Sequence, residues 1–148
     1  MDLEKYIYKY QSAFQRIYRS VNDMIKQHVH DDITTDQFQI LQFIKQHEQV
    51  TSTQIAQTMG VGKSAITALV NRLVQKEFIE RERNEEDRRV VYLRLTDNGN
   101  KVVTATEKEI YQFIEDKLAH FPTEDIEGFL HALEKLSDLM ANDEGEQK

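Results

Sequence analysis

Residues 51–99 leave few folds open to this chain. They read TSTQIAQTMGVGKSAITALVNRLVQKEFIERERNEEDRRVVYLRLTDNG, and their apolar spacing passes from three-and-four to two. Thr51 with Gln54 three residues on has the spacing of a capping box, and Ile55, Ala56 and Met59 give a short helix one apolar side. Gly60 ends it, because glycine takes the left-handed C-terminal position without a side-chain clash. A second helix starts at about Gly62, with Ile66, Leu69, Val70 and Leu73 on one stripe. Its remaining positions, Lys63, Ser64, Ala65, Thr67, Ala68, Asn71 and Arg72, are small, polar or basic. Two strands follow, at 78–83 and 90–95; in the second, Val91, Leu93 and Leu95 alternate with Val90, Tyr92 and Arg94. The NEEDRR between them holds no apolar residue, so the hairpin projects into solvent. Helix, tight turn, longer helix and hairpin, in that order, predict a helix-turn-helix followed by a β wing.

Such a unit suits duplex DNA. A helix that enters the major groove reads base edges with its N-terminal residues and needs small side chains there. Its first amides and its dipole favour a nearby phosphate. An arginine at a wing tip can enter the narrow, electronegative minor groove, and a carboxylate two residues earlier, as Asp87 stands to Arg89, can hold its planar head. With the LVxxL run at Leu69, Val70 and Leu73, the FIxRxR strand, the DRR wing and the LTDxG exit at 95–99, the stretch resembles the winged-helix domain of the MarR family of transcription regulators. The order of elements fits over nearly the whole chain. The resemblance implies a mainly α fold with a small β wing, in which a winged helix-turn-helix is flanked by N- and C-terminal dimerisation helices. It makes 62–76 the recognition helix, and Asp87 and Arg89 the wing's aspartate and minor-groove arginine. Gly62 departs from the family, which often has a serine or threonine cap there; glycine caps less well by a few tenths of a kcal/mol and leaves the fold untouched.

A net charge of −7 speaks against a nucleic-acid partner until its location is considered. Residues 51–100 carry eight basic and seven acidic side chains, whereas 101–148 carry five and twelve. The acid excess therefore belongs to the last third, and the middle third predicts modest, strongly salt-dependent binding. The 148 residues suit one domain. Cysteine is absent, which excludes disulfides, zinc–thiolate sites and thiol redox sensing. No apolar run approaches a membrane span, and the opening MDLEK lacks a secretory pattern, so no membrane and a cytoplasmic location are expected. No serine nucleophile elbow, phosphate-binding glycine loop or recognisable carboxylate pair suggests an enzyme, and no cofactor is expected.

The flanks are long helices. In 2–29, Leu3, Ile7, Tyr10, Phe14, Ile17, Val21 and Met24 step by four and three in alternation, the seam of a helix packed along another. The spacing fits an intramolecular core helix or a dimer helix; the family resemblance favours the dimer. HxHDD at His28, His30, Asp31 and Asp32 has metal-ligand residue types but reads better as a polar inter-helix loop, so no metal is assigned. Thr34 with Gln37 opens a helix to about His47, with Phe38, Leu41 and Ile44 inward. Thr96 caps the next, which runs to about His120 with Val102, Val103, Ala105, Ile110, Phe113, Ile114 and Leu118 on its apolar side. Phe121-Pro122 breaks it, and Ile126, Phe129, Leu130, Leu133, Leu136, Leu139 and Met140 line a last helix. The expected layout is a single domain over 1–148, with dimerisation helices at 1–30 and 100–141, a DNA-binding unit at 34–99 and a frayed polar tail at 142–148.

The expected function is a homodimeric, sequence-specific regulator of transcription, a repressor that reads a pseudo-palindromic site in double-stranded DNA. Lys63, Ser64, Ala65, Thr67 and Asn71 would face bases or nearby phosphates, Thr53 and Gln54 phosphate, and Arg72 either phosphate or a partner within the protein; Asn71 can pair with adenine or touch the backbone. Arg89 would enter the minor groove, held by Asp87, with Arg88 on phosphate; the bland alternative pairs both arginines with Glu85 and Glu86. In the MarR-type mechanism a small aromatic effector binds between dimer and DNA-binding units, and Tyr10, Phe14, Tyr18, Phe38 and Phe43 are candidates to line its pocket. A different class of function, a winged-helix protein-interaction module without DNA binding, is the alternative.

Overall fold

The computed structural model describes residues 1–28 and 33–146. Its elements are α1 (Leu3–His28), α2 (Thr35–Gln46), α3 (Ser52–Met59), α4 (Lys63–Gln75), β1 (Ile79–Arg83), β2 (Val91–Leu95), α5 (Asp97–Leu118) and α6 (Thr123–Glu146). They divide into two compact units, Met1–Ile110 and Tyr111–Lys148, and the division falls within α5.

Local chemistry sets the ends of these elements. In α2 the Thr34 hydroxyl accepts from the Gln37 amide at 3.2 Å while Gln37 Oε1 accepts from the Thr34 amide at 3.3 Å. Thr51 and Gln54 repeat the pattern at the start of α3. Two orphan amides are satisfied at each start, which matters most for α3, because eight residues are too few to hold a helix unaided. Gly60 closes α3 at φ 64°. After α4, Glu77 takes the left-handed conformation at φ 60° without being glycine. Its amide reaches Val74 O and the Phe78 amide reaches Leu73 O, both at 3.0 Å, the paired bonds of a Schellman end.

β1 and β2 are antiparallel, with Ile79 opposite Leu95, Arg81 opposite Leu93 and Arg83 opposite Val91. Val50 adds a bridge at the inner edge, its carbonyl accepting from the Leu93 amide at 2.8 Å. The core of the first unit is where the apolar stripes of α1 to α4 meet these strands: Ile25, Ile33, Ile40, Leu41, Ile55, Ile66, Leu73 and Ile79 are fully buried. Buried polar residues tie the helices together. Thr35 donates to Asn22 Oδ1, joining α2 to α1, and Lys76 donates to Gln37 Oε1 at 3.2 Å, joining the end of α4 to α2.

The start of α5 is bolted to the corner between α4 and β1. The Thr96 hydroxyl accepts from the Gly99 amide at 3.0 Å and donates to Glu77 O at 2.6 Å, and the Thr96 amide donates to Phe78 O at 3.0 Å. A Cβ on Gly99 would lie 1.9 Å from Phe78 O, so only glycine fits. Further along α5, Ala105 is exposed, against expectation, and Thr106 and Glu107 are buried. The helical period carries the inward side from Val102 and Val103 to 106 and 107, not to 105. Thr106 satisfies its hydroxyl on Val102 O at 2.7 Å. Glu107 accepts from Lys45 Nζ at 2.6 Å and Gln42 Nε2 at 3.4 Å, which clasps α5 to α2.

The seam of α1 enters the core only at its C-terminal end, where Met24 and Ile25 are buried. Leu3, Ile7, Tyr10, Phe14 and Ile17 are exposed. Proline 122 separates α5 from α6 as expected. On α6, Phe129, Leu130, Leu133, Leu136, Leu139 and Met140 are exposed. The stretch 142–146, expected as a frayed tail, continues α6: no proline interrupts it, and Gly145 costs only about 1 kcal/mol in a helix. Residues 147 and 148 lie outside the described residues. No described helix is long and apolar enough to cross a membrane.

Candidate nucleic-acid interface

α4 buries Ile66, Val70 and Leu73, leaves Leu69 of the expected stripe half-buried, and leaves Lys63, Ser64, Ala65, Thr67, Asn71 and Arg72 exposed, as the sequence predicts for these six. Gly62, the N-cap, is extended and makes no side-chain cap, so the first amides of α4 meet no capping side chain. Among the described residues Lys63 and Arg72 form no ion pair. Thr67 donates its hydroxyl to Lys63 O at 2.9 Å, which leaves lone pairs as what it offers outward. Asn71 is already engaged: its Oδ1 accepts from Arg81 Nη2 on β1. At the start of α3, Thr53 is exposed, while Gln54 uses one lone pair of Oε1 for its capping bond and keeps its two N–H donors for another partner.

The wing tip is an ordered loop. Asn84 organises it, Oδ1 accepting from the Glu86 amide at 2.8 Å and Nδ2 donating to the Tyr92 hydroxyl at 3.2 Å. The Val90 amide closes a turn onto Asp87 O at 3.0 Å, and Arg83 Nη1 reaches Arg88 O at 3.1 Å across the base. Arg89 Nε and Nη2 donate to the two oxygens of Asp87 at 3.1 and 3.2 Å, and the Arg89 amide adds a third bond at 3.1 Å. The guanidinium is held by its fork while its side chain stays 92% exposed. The side-chain bonds from Arg89, and then its backbone bond, hold the Asp87 carboxyl below the usual carboxylate range. Neither Arg88 nor Arg89 pairs with Glu85 or Glu86 among the described residues. Arg94, by contrast, is drawn off by Glu82 at 2.9 Å, and that bond raises its pKa. The roles of Asn84 and Arg83 were missed in the sequence; the one available signal was an asparagine directly after a strand, a common turn residue.

The five aromatic residues expected around an effector stand in three settings. Tyr10 and Phe14 stack 6.0 Å apart along exposed α1, and Phe14 and Tyr18 line a shallow groove with Gln15, Arg19 and Asn22. Tyr18 lies 3.5 Å from Asp36 Oδ1; partial burial first, then the Asp36 charge and hydrogen bond, raise its pKa. Phe38 is buried in the core, and Phe43 stacks on His47 at 4.1 Å. Within one chain they do not converge, because α2 turns Phe38 inward and holds Phe43 against its own C-terminal end. A cleft of about 770 Å³ lies instead between the end of α2 and the wing, lined by Lys45, His47, Glu48, Glu82, Tyr92 and Arg94 among others. Of the HxHDD cluster, His30, Asp31 and Asp32 lie outside the described residues, as does the side chain of His28. Among the described residues no three metal-ligating side chains come together.

The MarR family profile matches residues 33–91. The HTH-type transcriptional regulator YwhA of Bacillus subtilis is 32% identical over 98 residues, which span 66% of this chain and 70% of YwhA. The repressor MdtR of the same organism is 37% identical over 90 residues, 61% of this chain and 56% of MdtR. Among solved structures, Streptococcus pneumoniae FabT, crystallised in complex with DNA, superposes with a TM-score of 0.83 at 23% identity, covering 95% of this chain and 99% of its own.

Proposed function

Because the chain belongs to the MarR family of transcription regulators, we propose that it acts as a homodimeric repressor that binds a pseudo-palindromic operator. One observation carries the reading: the small, polar and basic outer face of α4 is exposed beside a wing whose Arg89 is pre-aimed by Asp87. Two donors to two carboxylate oxygens fix the plane of the guanidinium before DNA arrives, which lowers the ordering cost of placing it in a narrow groove. The likeness in fold to a protein solved on DNA supports DNA as the partner, and the likeness to MdtR supports repression.

The exposed stripe of α1, together with that of α6, supports a second copy as what covers them. A twofold pair would set its recognition helices one DNA turn apart, about 34 Å. Residues 1–30 and 100–141 then serve dimerisation and 34–99 serve DNA. Lys63, Ser64, Ala65, Thr67 and Asn71 face the major groove, Arg72, Thr53, Gln54 and Arg88 the phosphates, and Arg89 the minor groove. An aromatic effector would use Tyr10, Phe14 and Tyr18, and would release the operator by favouring a different spacing of the two recognition helices.

Arg89→Ala tests the central contact. Operator affinity in a gel-shift titration at fixed salt is expected to fall by about 1–3 kcal/mol with the thermal transition unchanged. Unchanged affinity would remove Arg89 from the interface. A wild-type protein that retains no DNA even at low salt would favour the protein-interaction module.

A further inference from the structure

Arg81 occupies an odd place. It stands opposite Leu93 in the hairpin register, on the same face as buried Ile79, yet it is a charged residue at the rim of that face. Its guanidinium crosses to α4 and donates through Nη2 to Oδ1 of Asn71. A guanidinium carries donors alone, so the oxygen end of the Asn71 amide must be the end that meets it. The Nδ2 end is therefore turned away, without a hydrogen-bond partner among the described residues, on the exposed side of α4 that also bears Ser64 and Thr67.

This orientation restricts what Asn71 can read. An asparagine recognises adenine with both ends of its amide, the oxygen accepting from the N6 amino group and the nitrogen donating to N7. Arg81 uses one lone pair of Oδ1 and holds the oxygen end toward β1, so the donor half is the end presented outward. Releasing the oxygen end would exchange a charge-assisted bond for a neutral one of roughly half the strength. Resting on the DNA-binding reading above, we infer that Arg81 is a positioning residue that presents Asn71 to DNA with its donor end first. It directs Asn71 to a hydrogen-bond acceptor, either a base edge or a phosphate oxygen, and disfavours the two-point contact that would single out adenine, which the residue type alone suggests.

Selection of bound sequences from random duplex DNA, followed by titration of the winners, tests this with wild type, Asn71→Ala, Arg81→Met and the double variant. If the acceptor is a base edge, Asn71→Ala erases a preference in one column that does not single out adenine, and Arg81→Met makes adenine the favoured base there. If it is a phosphate, Asn71→Ala weakens all sequences alike, by about tenfold. In both cases Arg81 acts through Asn71, so Arg81→Met adds nothing in the Asn71→Ala background. An adenine preference in wild type that Asn71→Ala removes would overturn the inference. So would additive losses, or an Asn71→Ala protein indistinguishable from wild type. Both side chains are exposed, so thermal unfolding should hardly move. In the free protein, the Asn71 side-chain amide resonances should shift in Arg81→Met; resonances that stay put would break the pairing at its source. Failure of wild type itself to select any sequence marks the failure of the DNA-binding reading, which no variant-specific outcome resembles.

Discussion

Asp87 commits both carboxylate oxygens to one arginine, and that fixes how it titrates. Its folded pKa lies below the ordinary value, so its favourable contribution is fully present above the usual aspartate pKa of about 3.9 and is lost as pH falls through the lower folded value. The clamp on Arg89 is thus complete at neutral pH and opens as the pH falls below the ordinary aspartate value. A carbon-detected NMR titration should place the Asp87 midpoint below that of a free aspartate, and Arg89→Ala should return it toward the ordinary value; an unmoved midpoint would show that Arg89 is not its cause. Gly99 is constrained by space. A Cβ there meets the Phe78 carbonyl, so Gly99→Ala should destabilise the fold by the upper end of about 1–3 kcal/mol in urea unfolding. The two sites differ in how far they could be read in advance. The Asp87–Arg89 pair is local, two positions apart, and the spacing alone suggested it. The contact of Gly99 with Phe78, and that of Arg81 with Asn71, join positions brought together by the fold, and no local pattern announces them.

Among the elements, those with chemical punctuation were legible. The capping boxes at Thr34 and Thr51, the left-handed Gly60 and the break at Pro122 all act within a few residues, and each lies where the sequence put it. Thr51→Ala should cost about 1 kcal/mol in chemical denaturation, since it removes the acceptor for the Gln54 amide and opens the box. A change within error would mean that water caps α3 equally well. The inward side of α5 was read less well, because residue type and helical period disagree there. Period places 106 and 107 inside, and type sends threonine and glutamate out. Period wins because Val102 O satisfies Thr106 and the Lys45–Gln42 pair satisfies Glu107, which removes the cost of burying them. The left-handed end of α4 escaped notice for a related reason: Glu77 holds a conformation that glycine usually signals.

At the scale of the molecule, one copy leaves much of its apolar surface open. Leu3, Ile7, Phe14 and Ile17 on α1, and Leu133 and Leu136 on α6, are exposed in the single chain. The 3.5-residue spacing on α1 and the dense stripe on α6 were visible in the sequence, but their coverage was not, since a stripe looks the same whether its partner is the same chain or another. If a second copy covers α1, Ile17→Asp should sediment as a monomer with its helical circular dichroism retained and its operator affinity lost; a dimer that persists would assign these stripes elsewhere. The loop that carries Arg89 needs none of these long-range contacts. Three successive residues, Asp87 to Arg89, contain all the bonds that shape the guanidinium's posture. A hairpin displaced as a rigid piece would therefore take its hook along ready-formed. Events elsewhere in the protein can move that hook, but they have no purchase on its shape.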